Sequence, residues 1–419
     1  MSKRRVYTVV QGDTVEDLAA RFYGVPSLYP KIVEANPFIA GREGSEIFES
    51  EVLTIPDISE TDDQSEDDGT DDVTIIIDEV IFPNFSGFNL KLSMDKVADE
   101  FNFFTVWNPD NPELRKTFVP YKYNNVEVFI GGKLKLTGNL INLGPVSETS
   151  SRTLNVSGYS KSGILNDCNV PVSAYPLAFK SLTLIEIAKT LTQPFNITVT
   201  DETADSFVFE EVDLKPTDQV YSFLAKLCKK RGSLLTSLPN GNLVIQKSTT
   251  EKATISLVEG APNILGMAVN YQGQKGFTSV SGLLKGKDTP DPATDDSFTE
   301  IDNFMVDVSE SRPLVFEIDD IGTGTLQDAV KAQLRRLWAD RISYTVSIEG
   351  WRDQNGRLWS DNTRINVEYP SMMIYNITEF IIRDVEFTQD DSKNIAKLTL
   401  VLPQSYSNEP LEGLPWLEQ

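Results

Sequence analysis

Histidine is absent from the 419 residues, and that absence removes more chemistry than any other feature of the chain. Ser-His-Asp and Cys-His catalysis, imidazole general bases and histidine-containing zinc sites cannot be built from this chain alone. Carboxylate chemistry of the glycosidase kind, or no chemistry, remains. Cysteine is nearly as scarce. Cys168 and Cys228 stand in apolar contexts, make no disulfide framework, and read as free buried thiols of a protein folded in a reducing cytoplasm. Basic residues are outnumbered 38 to 62, and at a net charge of −24 a phosphate-binding surface would have to be a local exception to a repulsive field. No run approaches the roughly 18 apolar residues of a spanning helix. The basic start MSKRR has no apolar segment behind it, so neither a membrane span nor a signal peptide is expected.

What is present is enough apolar sequence, 40% of the chain, for two or three cores. The stretch YTVVQGDTVEDLAARFYGVPSLYPKIVEANP, residues 7–37, reads as strand, helix, helix, with EVLTIP closing the unit as a second strand near Pro56. Asp13 stands at the helix start with Glu16 three residues on, the spacing of a capping box. Val15, Leu18, Ala19 and Phe22 share one helix face, Gly24 ends the helix, and Ser27 precedes a second short helix with Pro30 in its first turn.

Residues 57–72, DISETDDQSEDDGTDD, carry nine carboxylates and almost no apolar surface, the composition of a flexible linker. Sixteen such residues span roughly 20–25 Å. From Val73 the pattern is β: Val126, Val128 and Ile130 alternate before Gly131-Gly132, a two-residue hairpin signal. Around 171–250 the period changes. Ser181 caps a helix with Leu184, Ile187, Ala188 and Leu191 on one face, Thr217 opens another with Val220, Leu224, Leu227 and Cys228, and a hairpin turns at Asn240-Gly241. The last third returns to alternating strands, interrupted by the Pro- and Asp-rich stretch KDTPDPATDDS, expected to be a surface loop. Gly322 and Gly324 lack the third glycine of a dinucleotide fingerprint, so Thr325 with Asp328 is read as a helix cap.

The N-terminal segments YTVVQGDTVEDLAARFYG, IVEANP and LTIP resemble a LysM module over about the first 56 residues. That resemblance implies a βααβ fold. It also implies a sugar groove between two loops, here Gly12, Asp13 and Thr14 on one side and Asn36, Pro37, Phe38 and Ile39 on the other. Where the family has Pro-Gly before the closing strand, this chain has Glu49-Ser50-Glu51, which adds carboxylates beside one groove wall. The spacing of RFYGVPSLYPKIVEANP is similar to LysM variants inside phage tail proteins, which makes the groove a dock for protein or for glycan.

Three later segments, in order, resemble the baseplate hub protein of Mu-like contractile-tailed phages. They begin at VEVFIGGKLKLTGNLINLGP, at SLTLIEIAKTLTQPFNITVT and at YTVSIEGWRDQNGRLWSDNTRINV. The resemblance implies two β-barrel-like domains similar to a tail-tube subunit in each chain. It further implies a homotrimeric ring between a hexameric tail tube, or its initiator, and a central trimeric spike, located in the virion baseplate and assembled in the host cytoplasm. The expected organisation is α+β, mainly β: a LysM module at 1–56, the acidic linker at 57–72, a first tube-like β domain at 73–170, an α+β insertion at 171–250 and a second tube-like β domain at 251–419. Without the linker the chain still has 53 acidic against 38 basic residues, so DNA is expected to pass without specific binding.

Two other function classes compete: a peptidoglycan-binding protein using the LysM groove, and a cell-wall glycan hydrolase. For the hydrolase the candidate pairs are Asp319 with Asp320 and Asp390 with Asp391. Adjacent strand residues point to opposite faces, so neither pair makes one site. No catalytic, cofactor-binding or metal-ligating residue is assigned, and no cofactor is expected.

Overall fold

Alternating apolar residues from two distant parts of the chain meet in one sheet. The computed structural model describes residues 5–10, 12–23, 29–39, 42, 46–48, 50–55, 67–175, 177–284, 297–305, 308–318, 325–389, 393–407 and 413–417. Thirteen strands between Val73 and Val401 form that sheet, along the path Ile264–Tyr271, Ile342–Glu349, Asn394–Val401, Ile374–Gln389, Ser86–Ser93, Glu100–Val106, Arg152–Ser160, Lys133–Ser147, Asn125–Ile130, Val73–Ile77 and Val80–Ile81. The two remaining strands, Arg364–Tyr369 and Ser256–Val258, branch from Ile374–Gln389.

The expected pair of separate β-barrel-like units is corrected in one respect. Among the described residues neither β region closes on itself, because Asp384–Gln389 of the second pairs antiparallel with Phe88–Ser93 of the first. One apolar core runs under both: Trp351 lies 6.2 Å from Phe88 and 5.5 Å from Phe387 between ring centroids. All three are almost fully buried, each contributing roughly 2–3 kcal/mol by leaving water.

The two regions repeat a single topology. In the first, strands follow one another across the sheet as Ser86–Ser93, Glu100–Val106, Arg152–Ser160, Lys133–Ser147. In the second the sequence across the sheet is Ile264–Tyr271, Ile342–Glu349, Asn394–Val401, Ile374–Gln389. Both read first, second, fourth, third in chain order. The cross-strand row Leu90, Phe101, Gly158, Leu140 corresponds to Val269, Tyr344, Leu400, Ile382. In each unit the register then shifts by one residue, between Leu140 and Asn142 in the first and between Ile382 and Asp384 in the second. Such bulges bend the long strand at the same place. Gly158 has its reason here: a Cβ on it would lie 2.0 Å from the Asn139 carbonyl.

The hairpin at Gly131-Gly132 forms with both glycines at positive φ, and Val126, Val128 and Ile130 are buried as read. The insertion has its own core of Leu184, Ile187, Leu191, Leu224, Leu227 and Cys228 on helices Leu184–Thr192 and Val220–Lys230. The helix starts differ from expectation. Thr183 with Glu186 makes the first capping box, and Gln219 stands at the second N-cap, displacing Ser181 and Thr217. Ser181 instead takes a left-handed backbone, φ 53°. Thr325 and Asp328 do form the expected box on helix Leu326–Arg341. Cys228 is a buried free thiol and Cys168 a half-buried one. The residues at 319–324, the loop 285–296 and Asp390 with Asp391 lie outside the described residues.

Candidate docking surfaces

In the N-terminal unit, strand Arg5–Thr8 pairs antiparallel with Val52–Ile55, and helices Val15–Tyr23 and Tyr29–Ala35 lie between them in sequence, the expected βααβ order. Its first helix is capped one residue later than read. Thr14 Oγ1 accepts from the Asp17 amide at 3.0 Å and donates to the Asp17 carboxylate at 2.7 Å. Asp13 is left to accept from the Tyr7 hydroxyl at 2.8 Å and the Val10 amide at 2.9 Å, so it fixes the loop instead of the helix.

The seven residues assigned to the groove divide. Gly12 is exposed with φ 97°, Thr14, Pro37 and Phe38 are exposed, and Asp13 is half-buried. Asn36 and Ile39 are not available to a ligand. Ile39 is wholly buried in the unit's core, and Asn36 is a clamp: its Nδ2 donates to the carbonyls of Ile32 and Thr54 and its Oδ1 accepts from the Thr54 amide, each at 2.7 Å.

An exposed feature that periodicity did not reveal lies beside Phe38. The Arg42 guanidinium sits 5.7 Å from the Phe38 ring and 4.9 Å from the Phe48 ring, while both its terminal nitrogens reach the Glu51 carboxylate at 2.8 and 2.7 Å. Arg42 holds the Glu51 carboxyl below its ordinary range. The rings themselves stay about half exposed, 51% for Phe38 and 55% for Phe48. The product is a pair of exposed rings, each in contact with an arginine whose charge is neutralised by Glu51. Glu49 lies outside the described residues.

The expected linker is corrected at its C-terminal end. Asp67 and Asp71 both pair with Arg352, at 2.8 and 3.0 Å, and the Asp68 amide donates to the Gly131 carbonyl at 3.0 Å. Residues 67–72 therefore belong to the body's surface, held by a bidentate arginine at long sequence range. The stretch 57–66 lies outside the described residues.

Where the insertion meets both β regions, a polar cluster is buried. Ser93 donates to Asp384 at 2.5 Å and its amide to Asp99 at 3.0 Å, while the hydroxyl of Tyr406 reaches Asp95 at 2.6 Å. Burial pushes Asp361 up to about 6, with Asp384 and Asp95 adding to the effect, and raises Asp99 well above the carboxylate range. Burial lowers Lys135 to about 8, opposed by Asp67 and Asp361. A cleft of about 690 Å³ opens nearby, lined among others by Lys96, Tyr159, Asp167, Tyr221 and Lys229. Its Asp167 accepts from the Tyr159 hydroxyl. Among the described residues no group of acids and cysteines is placed to hold a metal ion.

Comparison with known proteins accounts for this arrangement. A family model described as baseplate hub protein gp44-like, second domain, matches residues 162–247, and one described as Phage Tail Protein X matches residues 4–63. Baseplate hub protein gp44 of Escherichia phage Mu is 26% identical over 356 residues, covering 81% of this chain and 90% of that one. The 43 kDa tail protein of prophage MuSo2 from Shewanella oneidensis shares the fold with a TM-score of 0.68 at 24% identity, over 80% of this chain and 98% of that one. A tail protein from Neisseria meningitidis MC58 does so with a TM-score of 0.66 at 19% identity, over 80% and 98%. In sequence this chain is thus similar to baseplate hub protein gp44 of phage Mu along most of both chains and to the gp44-like second domain over residues 162–247, and in fold to the two tail proteins.

Proposed function

We propose that three copies of the chain close into a ring that joins a sixfold tail tube on one side to a threefold spike on the other. The observation that carries this reading is the repeated four-strand unit, present twice in one chain and side by side in one sheet. Three chains with two such units each offer six similar elements to a hexameric neighbour and three to a trimeric one, and closed cyclic symmetry is the usual way such units assemble. The acidic balance of the body fits a channel through which DNA slides, because a bore that neutralised phosphates would bind it. In this reading the chain is structural and works by joining, without catalysis.

The N-terminal unit is the outboard dock of this hub, a LysM-like module that engages a neighbouring tail protein through Phe38, Phe48 and the Gly12–Thr14 loop. Support comes from the half-exposed rings and from the neutralised arginine between them, a surface suited to an apolar protein face with a polar rim. Sedimentation of the full-length protein with purified cell wall, beside a reconstruction of the assembled particle, tests the docking. Retention of the module against a neighbouring protein and no wall binding is expected. Micromolar wall binding by a module with no contact in the particle would replace docking by wall recognition.

A further inference from the structure

The cleft of about 690 Å³ between the insertion and the first β region plays no part in the hub reading. One wall is helix Val220–Lys230, which turns Val220, Leu224, Leu227 and Cys228 into the insertion's core and Tyr221, Ser222, Ala225, Lys226 and Lys229 toward the cleft. The opposite wall comes from the turn after Ser93, from Glu100, and from Tyr159, Gly163, Asn166 and Asp167. No residue of the N-terminal unit lines it.

These walls are built in advance of any ligand. The Tyr221 hydroxyl donates to the Asp95 carbonyl at 2.9 Å, joining one wall to the other, and the Tyr159 hydroxyl donates to the Asp167 carboxylate. Gly163 stands at φ −60°, where its backbone has no need of glycine; the reason is packing, because a Cβ there would lie 2.3 Å from the Tyr159 ring. Below, Ser162 donates to the Val97 carbonyl at 2.5 Å and the Ser160 amide to the Asp99 carbonyl at 2.8 Å, which fixes the floor. A site held in this way loses little conformational freedom on binding.

The lining selects a chemistry. Three lysines, Lys96, Lys226 and Lys229, stand with three carboxylates, Asp95, Glu100 and Asp167, so the cleft has no net charge in a chain of net charge −24. An apolar ligand would strip water from these six groups and return no hydrogen bonds. A nucleic-acid strand would meet the carboxylates inside a repulsive field. The apolar lining, Val97, Ala98 and Ala225, is small and offers little to the buried anchors that hold peptides. A polyhydroxyl ligand satisfies both signs at once, since a hydroxyl donates to a carboxylate and accepts from an ammonium. Tyrosine, apolar in its ring and polar at its tip, suits the C–H faces and hydroxyls of a sugar. We infer that this cleft binds a neutral oligosaccharide, with Lys96, Lys229, Glu100 and Asp167 as hydroxyl partners and Tyr159 and Tyr221 as contacts for the sugar rings. Its volume falls in the roughly 300–1,000 Å³ range of ligand sites.

Full-length protein and its Ser222→Trp and Lys229→Ala variants, applied to an array of neutral oligosaccharides from bacterial surface and wall polysaccharides, test the assignment. Both substitutions fall on exposed helix positions, so thermal unfolding should stay unchanged. The parent should be retained by at least one sugar. Ser222→Trp, which puts an indole into the cleft, should weaken that retention tenfold or more, and Lys229→Ala about tenfold through one lost charge-assisted hydrogen bond. The polysaccharide that supplies the retained sugar distinguishes the cell surface from the wall as its source. Equal retention of parent and both variants would place the sugar elsewhere on the chain, the N-terminal groove included, and overturn the assignment. Failure of the parent to bind any sugar on the array overturns it as well. Capture from a library of random heptapeptides that Ser222→Trp abolishes, without sugar binding, would make the cleft a peptide site instead.

Discussion

The amide of Asn36 bonds to both backbone groups of Thr54, donating to its carbonyl and accepting from its N–H, each at 2.7 Å. It thereby ties the end of the second helix to the closing strand. Asn36→Ala leaves buried donors and acceptors unmade and should cost about 2–4 kcal/mol of the N-terminal unit's stability. Its unfolding, followed as a separate transition in the full-length protein, should shift to lower denaturant. A variant with unchanged stability but altered ligand binding would restore Asn36 to the groove.

Phe38 and Phe48 should behave in the opposite way. Being about half exposed, their joint replacement by alanine should change stability by less than about 1 kcal/mol. Loss of the module's contact in assembled particles, with the ring unaffected, is the expected outcome. Normal docking of the Phe38→Ala/Phe48→Ala protein would remove this surface from the account.

Arg352 holds Asp67 and Asp71 against the body. Arg352→Ala should release residues 67–72 and cost about 1–2 kcal/mol, since its side chain is largely buried. Limited proteolysis should then cut within Asp67–Asp72 in the variant and not in the parent. Equal protection of that stretch in both would show that the arginine does not anchor it.

Asp361 makes stability fall as pH rises. Its folded pKa of about 6 lies above the unfolded carboxylate near 4, so the folded state binds the extra proton between those values. Stability should decline from about pH 4 to about pH 6 through this group and carry the full cost above it. Lys135, Asp384, Asp95 and Asp99 are its charged neighbours. Asp361→Asn should flatten that slope in denaturant titrations and stabilise the protein at pH 7 by about 1–3 kcal/mol. An unchanged slope would place the titration elsewhere.

Local features were legible in the sequence because local physics decides them. The Gly131-Gly132 turn, the apolar stripe ending at Cys228 and the Thr325 cap depend on residues within a few positions of one another. Asn36 was misread because an asparagine in a loop has the same sequence pattern whether it faces a ligand or bonds inward. The anchoring of Asp67 by Arg352 spans 285 residues, and no composition signal marks it. The repeat was hidden because its equivalent positions share only apolar character: Leu90 with Val269, Phe101 with Tyr344, Leu140 with Ile382. Strand order and bulge position, visible only in three dimensions, carry that kinship.

The mass of the purified full-length assembly, by light scattering with and without its spike, tests the ring most directly. The account predicts a closed species of three chains of 46.7 kDa each, stable on dilution in the presence of the spike. A monomer under all conditions, or a twofold dimer that does not change when the spike is added, would contradict it.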